Sequence, residues 1–229
     1  VETTPSQPLI IKFLTSFNRG CRKSYVNCKL YDILIKNDIV SKCQTKWEKT
    51  LNLTIILNWK HIFKNPFIYT KDSTLQWLQY RINNRFLGTK LLLQQMRIVN
   101  DNRCSVCQQE DETIVHLFWD CIHVYTFIAE LKTMLRQIMN NELHFSKAEF
   151  ILGSHQMKPC INITFMIAKS HIFSCKMRES RPSINVFKNK LIHWLLADKY
   201  NSKKNSSIQT IITIWRYFII LLEENPTPT

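Results

Sequence analysis

The chain has 229 residues, enough for one large core or two modest ones at ~100–200 residues per domain, and 45% of them are apolar, which excludes a disordered chain. Its net charge of +14, from 31 basic and 17 acidic residues, argues for a polyanionic partner. Three glycines supply too few tight turns for a β-barrel or sandwich, so the expected fold class is all-α.

Helical periodicity begins with "KLYDILIKNDIV" at Lys29. "LNLTIILNWKHIF" is ambiguous, since Ile55, Ile56 and Leu57 favour a strand while Trp59, Ile62 and Phe63 favour a helix. "DSTLQWLQYRINNRFLGTK" is the clearest helix, with Asp72 or Ser73 as cap, Leu75, Leu78, Ile82 and Phe86 as one stripe, and Gly88 as its stop. "TKLLLQQMRIV" follows as a second helix, so residues 73–98 read as a helical hairpin. After Cys121 a helix presents Val124, Ile128, Leu131 and Leu135 on one face, and "ELHFSKAEFILGS" reads as an irregular connector ending at Gly153. Three more helices are expected near 160–178, 183–200 and 206–223, with Pro182 just inside the second. The apolar run "IQTIITIWRYFIILL" is short of the ~20 residues of a membrane span and contains Gln209 and Arg216, so no membrane association is expected.

Three cysteines and a histidine stand out, in the order Cys104-x2-Cys107-x8-His116-x4-Cys121. Cys3His is a common ligand set of structural zinc, and the CxxC spacing lets a tight turn bring two thiolates to one ion. Five residues apart, His116 and Cys121 cannot both face a metal from the middle of an α-helix, so His116 is expected near a helix end. The spacer is long enough for about two helical turns, and Glu110, Asp111 and Glu112 suit a helix N-terminus. Four protein ligands leave no open position, and the H-x-E with P-C-x-x-C of zinc deaminases is absent, so the expected Zn²⁺ is single and structural. No signal sequence is visible at this end, and Cys21, Cys28, Cys43, Cys160 and Cys175 read as ordinary reduced thiols.

The stretch "WLQYRINNRFLGTKLLLQQMRIVNDNRCSVCQQEDETIVHLFWDC" resembles the zinc-binding C-terminal region of non-LTR (LINE-type) retrotransposon reverse transcriptases. The matching residues include Tyr80, Arg81, Arg85, Leu87, Thr89, the four metal candidates, and Leu117, Phe118 and Trp119 beside His116. "IAKSHIFSCKMRESRP" and "VFKNKL" resemble the helical tail of the same elements, whereas Phe127-Ile128 stands where the family commonly has Phe-Trp. The resemblance implies a helical bundle whose zinc knuckle lies between the hairpin and the following helix. It also implies a place downstream of a polymerase core on the same polypeptide, where the piece holds template RNA or target DNA during target-primed reverse transcription.

Polymerase chemistry needs paired carboxylates on Mg²⁺, and no Asp-Asp pair occurs, so this piece is read as non-catalytic, with no small-molecule substrate. Because it starts at Val1, the chain reads as a fragment: 1–44 a basic end of a preceding domain, 45–153 the hairpin and zinc domain, 154–229 a helical extension. Expected partners are RNA or DNA, in an intracellular ribonucleoprotein of cytoplasm and nucleus. Trp77, Arg81 and Arg85, spaced i, i+4, i+8, form the expected contact face with Tyr80 beside them; Lys90, Arg97 and Arg103 extend it. Residues 104–120 carry no basic side chain, while Glu110, Asp111, Glu112 and Asp120 are acidic, so the knuckle is expected to act as a clamp that repels phosphate. The alternative is a helical protein-interaction domain derived from a retrotransposon remnant.

Overall fold

The computed structural model describes residues 42–53, 57–139 and 143–204. The chain divides into two compact units, Val1–Lys46 and Trp47–Thr229. The helices are α1 (Lys42–Leu51), α2 (Trp59–Tyr69), α3 (Ser73–Asn83), α4 (Lys90–Gln95), α5 (Ile122–Ile138), α6 (Lys147–Leu152), α7 (Pro159–Met177) and α8 (Ile184–Lys204), with a π-helical turn, His116–Asp120, before α5. Extended pairing among the described residues is confined to one isolated bridge, Arg103 with Asp111. The all-α expectation holds. The expected helices near Lys29 and over 206–223 lie outside the described residues. No described helix is long and apolar enough to cross a membrane.

α7 organises the second unit. Pro159 starts it, and its sequence is apolar all round, so Ile161, Ile163, Phe165, Met166, Ile167, Ala168 and Ile172 are all buried. It packs against α2, α3, α6, α8 and the π turn, while α5 packs against the π turn and α8. At about 1.5–3 kcal/mol for each large apolar side chain removed from water, this shared core is the main stabilising term.

Buried polar groups fix how the helices meet. Pro66 lies inside α2 and has no N–H, so the carbonyl of Ile62 loses its helical partner. The Nδ2 of buried Asn83 donates to that carbonyl at 3.0 Å. The Oδ1 of Asn83 accepts from Gln79 at 2.7 Å, and its backbone carbonyl accepts from the Trp47 indole at 2.9 Å. Lys169, fully buried on α7, donates to the carbonyls of Phe150 and Ile151 in the last turn of α6, both at 2.9 Å. A cation or amine at a helix C-terminus satisfies carbonyls left without N–H partners.

Several helix ends differ from expectation for one reason. α3 stops at Asn83, before Gly88, because Arg85 takes a left-handed φ of 59° and the N–H groups of Arg85 and Phe86 turn back onto Ile82 and Arg81. Phe86 therefore leaves the buried stripe and is exposed. Arg97 and Glu179 close α4 and α7 by the same pair of hydrogen bonds, with φ of 60° and 51°. The expected irregular connector contains α6, which Ser146 and Glu149 start with a reciprocal capping box and Phe150, Ile151 and Leu152 anchor in the core. Pro182 lies two residues before α8 rather than inside it.

The Pro66–Asn83 pairing generates a prediction. Asn83→Leu should cost about 1–3 kcal/mol, mostly from the orphaned carbonyl of Ile62. In a Pro66→Ala background the new N–H can take that carbonyl, so the penalty should shrink by about 1 kcal/mol. Urea unfolding of the two single variants and the double variant checks this; strictly additive losses would show that the two residues are not coupled.

Candidate metal centre

The first pair of donors sits on a short hairpin. Cys104 N–H donates to Glu110 O at 2.7 Å and Glu112 N–H to Asn102 O at 2.8 Å, closing residues 102–104 against 110–112. Inside this loop Gln108 N–H donates to Cys104 O, and Gln108 takes a φ of 58° to make the tight return. The N–H of Val106 points at Cys104 Sγ, 3.4 Å away. The spacer is thus mostly turn and extended chain, and the expected two helical turns do not form. Helix starts only at Ile114, where Thr113 Oγ1 accepts the N–H of His116.

The second pair uses a wider helix. Cys121 N–H bonds to His116 O at 3.0 Å, an i→i+5 step, so the π turn holds one residue more than an α turn. That extra residue brings Cys121 back beneath His116, which an α-helix would not do. Leu117 and Phe118, within the turn, are buried against the core and hold it in place.

Cys104 Sγ, Cys107 Sγ, His116 Nε2 and Cys121 Sγ are thereby assembled, with the donor atoms of the four residues all within 4.8 Å of one another. Cys107 Sγ and His116 Nε2 are 3.3 Å apart, and the sulfurs of Cys104 and Cys121 are 4.0 Å apart. Tetrahedral zinc with Zn–S of ~2.3 Å and Zn–N of ~2.0–2.1 Å spaces its donors about 3.5–3.8 Å apart. The set fits zinc, and with four donors it fits a closed, structural site. His123, beside Cys121 in sequence, is not one of the four.

Around the donors the protonation states are strongly perturbed. Hydrogen bonding with Cys121, and then burial, push Cys104 up to about 11. The bond from Cys104, helped by the N–H groups of Val124 and His123 at the start of α5, pulls Cys121 down. Hydrogen bonding to Cys104 and Cys107 pushes His116 up to about 9. A bound cation takes the place of these shared protons, so metal uptake releases protons and weakens as pH falls.

Two acidic residues of the spacer do work that the sequence reading assigned to a solvated, repelling surface. Glu110 Oε2 lies 3.0 Å from His116 Nδ1, which orients the ring so that Nε2 faces the sulfurs. Glu112 is completely buried. Its Oε1 accepts the N–H of Lys90, at the start of α4, and its Oε2 accepts both the N–H and the hydroxyl of Ser105, between the first two cysteines. Lys176 of α7, itself buried, lies 3.4 Å from Oε1 and donates to Gly88 O at 2.7 Å. The sequence reading has Glu112 only as part of the acidic spacer, and Lys176 was not singled out.

The structure places the expected nucleic-acid residues unequally. Trp77 and Tyr80 are exposed on α3, edge to face at 5.4 Å, and Phe86 joins them, 5.7 Å from Tyr80. Phe86 as a third exposed ring was missed, because the stripe was extended past the end of α3. Arg85 is not on the same helical face, being beyond α3; its guanidinium lies 4.5 Å over the Trp47 ring and donates to Thr50. Arg81 is half-buried, 6.0 Å over Phe173. Lys90 is half-buried, Arg97 exposed, and Arg103 exposed and paired with Asp101 at 3.2 Å.

Separable effects are expected of the two carboxylates. Glu112→Gln should destabilise the metal-loaded protein by about 3–5 kcal/mol, since it leaves the buried Lys176 ammonium uncompensated. Glu110→Ala, at an exposed side chain, should leave unfolding of the zinc-free protein nearly unchanged and lower zinc affinity about 10–100-fold, which costs the loaded form only about 1.4–2.7 kcal/mol. Melting followed by circular dichroism, with chelator competition for zinc, reads both; equal effects of the two variants on melting would contradict the assignment.

Residues 41–127 match the family model described as zinc-binding in reverse transcriptase. The match takes in all four donors and runs into α5. No curated protein matches the chain. Over that segment the chain is similar to the zinc-binding region of reverse transcriptases.

Proposed function

We propose that the chain is a non-catalytic, nucleic-acid-holding zinc domain of a non-LTR (LINE-type) retrotransposon reverse transcriptase, acting beside the polymerase core of the same polypeptide in target-primed reverse transcription. One structural zinc ion fixes the knuckle between the α3–α4 hairpin and α5. The ligand is template RNA or target DNA, held within a ribonucleoprotein of cytoplasm and nucleus.

The observation that carries this reading is the exposure of Trp77, at 60%, on a helix whose other face is buried through Leu75, Leu78 and Ile82. A ring of that size could have turned inward; with Tyr80 and Phe86 it forms a contiguous aromatic platform instead. In a chain of net charge +14, such a platform suits unpaired bases, which stack on aromatic rings while basic groups take phosphates. The second reading, a protein-docking surface, draws on Met96 and Ile98, which are exposed past the end of α4.

Trp77→Ala combined with Tyr80→Ala should weaken binding of a single-stranded RNA at least tenfold, since base stacking is worth about 1–3 kcal/mol per base. Helicity and zinc content should not change. Fluorescence anisotropy across a salt series checks this, and elemental analysis should find one zinc per chain. A wild-type chain that does not bind RNA, or whose binding ignores salt, would favour the protein-docking reading.

A further inference from the structure

Where α7 turns into α8 the chain forms an open pocket of about 430 Å³, bordered by His171, Ser174, Arg178, Arg181, Ser183 and Lys190. Its volume is in the range of ligand pockets. No carboxylate lines it. Glu179, the acidic residue of the connecting loop, is not part of the wall. Arg178 and Arg181 pair with no carboxylate among the described residues, and Lys190 donates to Ser170 Oγ at 3.1 Å.

The loop is held in shape before any ligand arrives. The N–H groups of Glu179 and Ser180 bond back to Lys176 and Cys175, and the Ser180 hydroxyl reaches Cys175 O. Ser183 N–H donates to the Nε2 of His171, which ties the loop to α7. α8 begins beside the cavity, and its first turn contains no acidic residue to balance the positive end of a 21-residue helix. The crowding of positive charge is visible in its neighbours: burial, then Lys190 and Arg178, push His171 down to about 4, and burial and Arg178 lower Lys190, against opposing effects of Cys175 and Asp72.

We infer that this cavity is an anion site that takes a phosphate group, the source being a backbone phosphate of the nucleic acid strand in the function proposed above, on which this assignment rests. Two guanidinium forks, the Lys190 ammonium and the Ser183 hydroxyl are the donor chemistry that phosphate oxygens accept, while the Ser174 and Ser180 hydroxyls already donate to Ser170 O and Cys175 O. The cavity lies outside the segment that matches the zinc-binding family, so it enlarges the contact surface beyond the zinc domain.

The test uses the full chain with zinc bound and the double variant Arg178→Ala with Arg181→Ala. Both side chains are exposed, so helicity and zinc content should be those of the wild type. Single-stranded RNA should bind the variant about tenfold more weakly, with a salt slope reduced by roughly 0.7, the share of one phosphate contact. In a separate arm, ³¹P line broadening of inorganic phosphate by the wild type should disappear in the variant. Unchanged RNA affinity and slope, in a wild type that does bind RNA, would overturn the nucleic-acid source while leaving the Trp77 reading intact. Loss of the phosphate signal in a chain that binds no RNA would support the site with free phosphate as its ligand and sink the function proposed above. Absence of both signals from the wild type would overturn the site itself.

Discussion

A carboxylate without contact to water holds the zinc centre to the rest of the molecule. Glu112 accepts from the start of α4, from the turn between Cys104 and Cys107, and faces the ammonium of Lys176 on α7. Burying a charge is tolerable only when it is paired and its remaining lone pairs are filled, and here every one of those partners belongs to a different piece of chain. The ion pair is therefore a registry device as much as a source of stability. It lets the knuckle settle against α7 in one orientation, and it does so with the acidic cluster that the sequence alone suggested was facing solvent.

The same logic recurs away from the metal. Asn83 joins three helices because Pro66 leaves a carbonyl for it to fill, and Lys169 joins two because the last turn of α6 leaves carbonyls exposed within the core. Apolar burial drives the packing but is not directional. Hydrogen bonds to backbone carbonyls supply direction, since an unmade one costs about 1–3 kcal/mol. In an assembly of short helices with few glycines, these side chains set angles that loops would otherwise leave loose.

What could be read from the sequence follows from how local each signal is. The donors Cys104, Cys107, His116 and Cys121 were legible because metal ligation imposes spacing, and the α5 stripe because 3.6-residue periodicity is a local property. Helix ends were harder. With only three glycines in the chain, α3, α4 and α7 are closed by Arg85, Arg97 and Glu179 in a left-handed conformation that those residues do not advertise. The π turn was not legible either, although the five-residue step from His116 to Cys121 showed that a regular α-helix would fail. α6 could have been found from its Ser146-x-x-Glu149 box, which marks a helix start even within a polar connector. The roles of Glu112, Lys176 and Lys169 depend on partners far away in sequence, and no window of local pattern contains that information.

The fate of the acidic residues bears on how positive the surface is. Glu48 accepts from the Trp59 indole, Asp72 caps α3 and accepts from the Trp194 indole, Glu110 holds His116, Glu112 is buried, and Glu149 caps α6. Asp101 and Asp120, by contrast, pair with Arg103 and Lys147 at the surface. Glu112, buried against Lys176, adds nothing to the exterior field, whereas a carboxylate that caps a helix or orients a ring keeps its charge. Positive charge faces solvent at Arg97, Arg178 and Arg181. The 31 basic residues outnumber the 17 acidic ones whichever way the carboxylates are used, and that excess is what the proposed nucleic-acid partner would draw on.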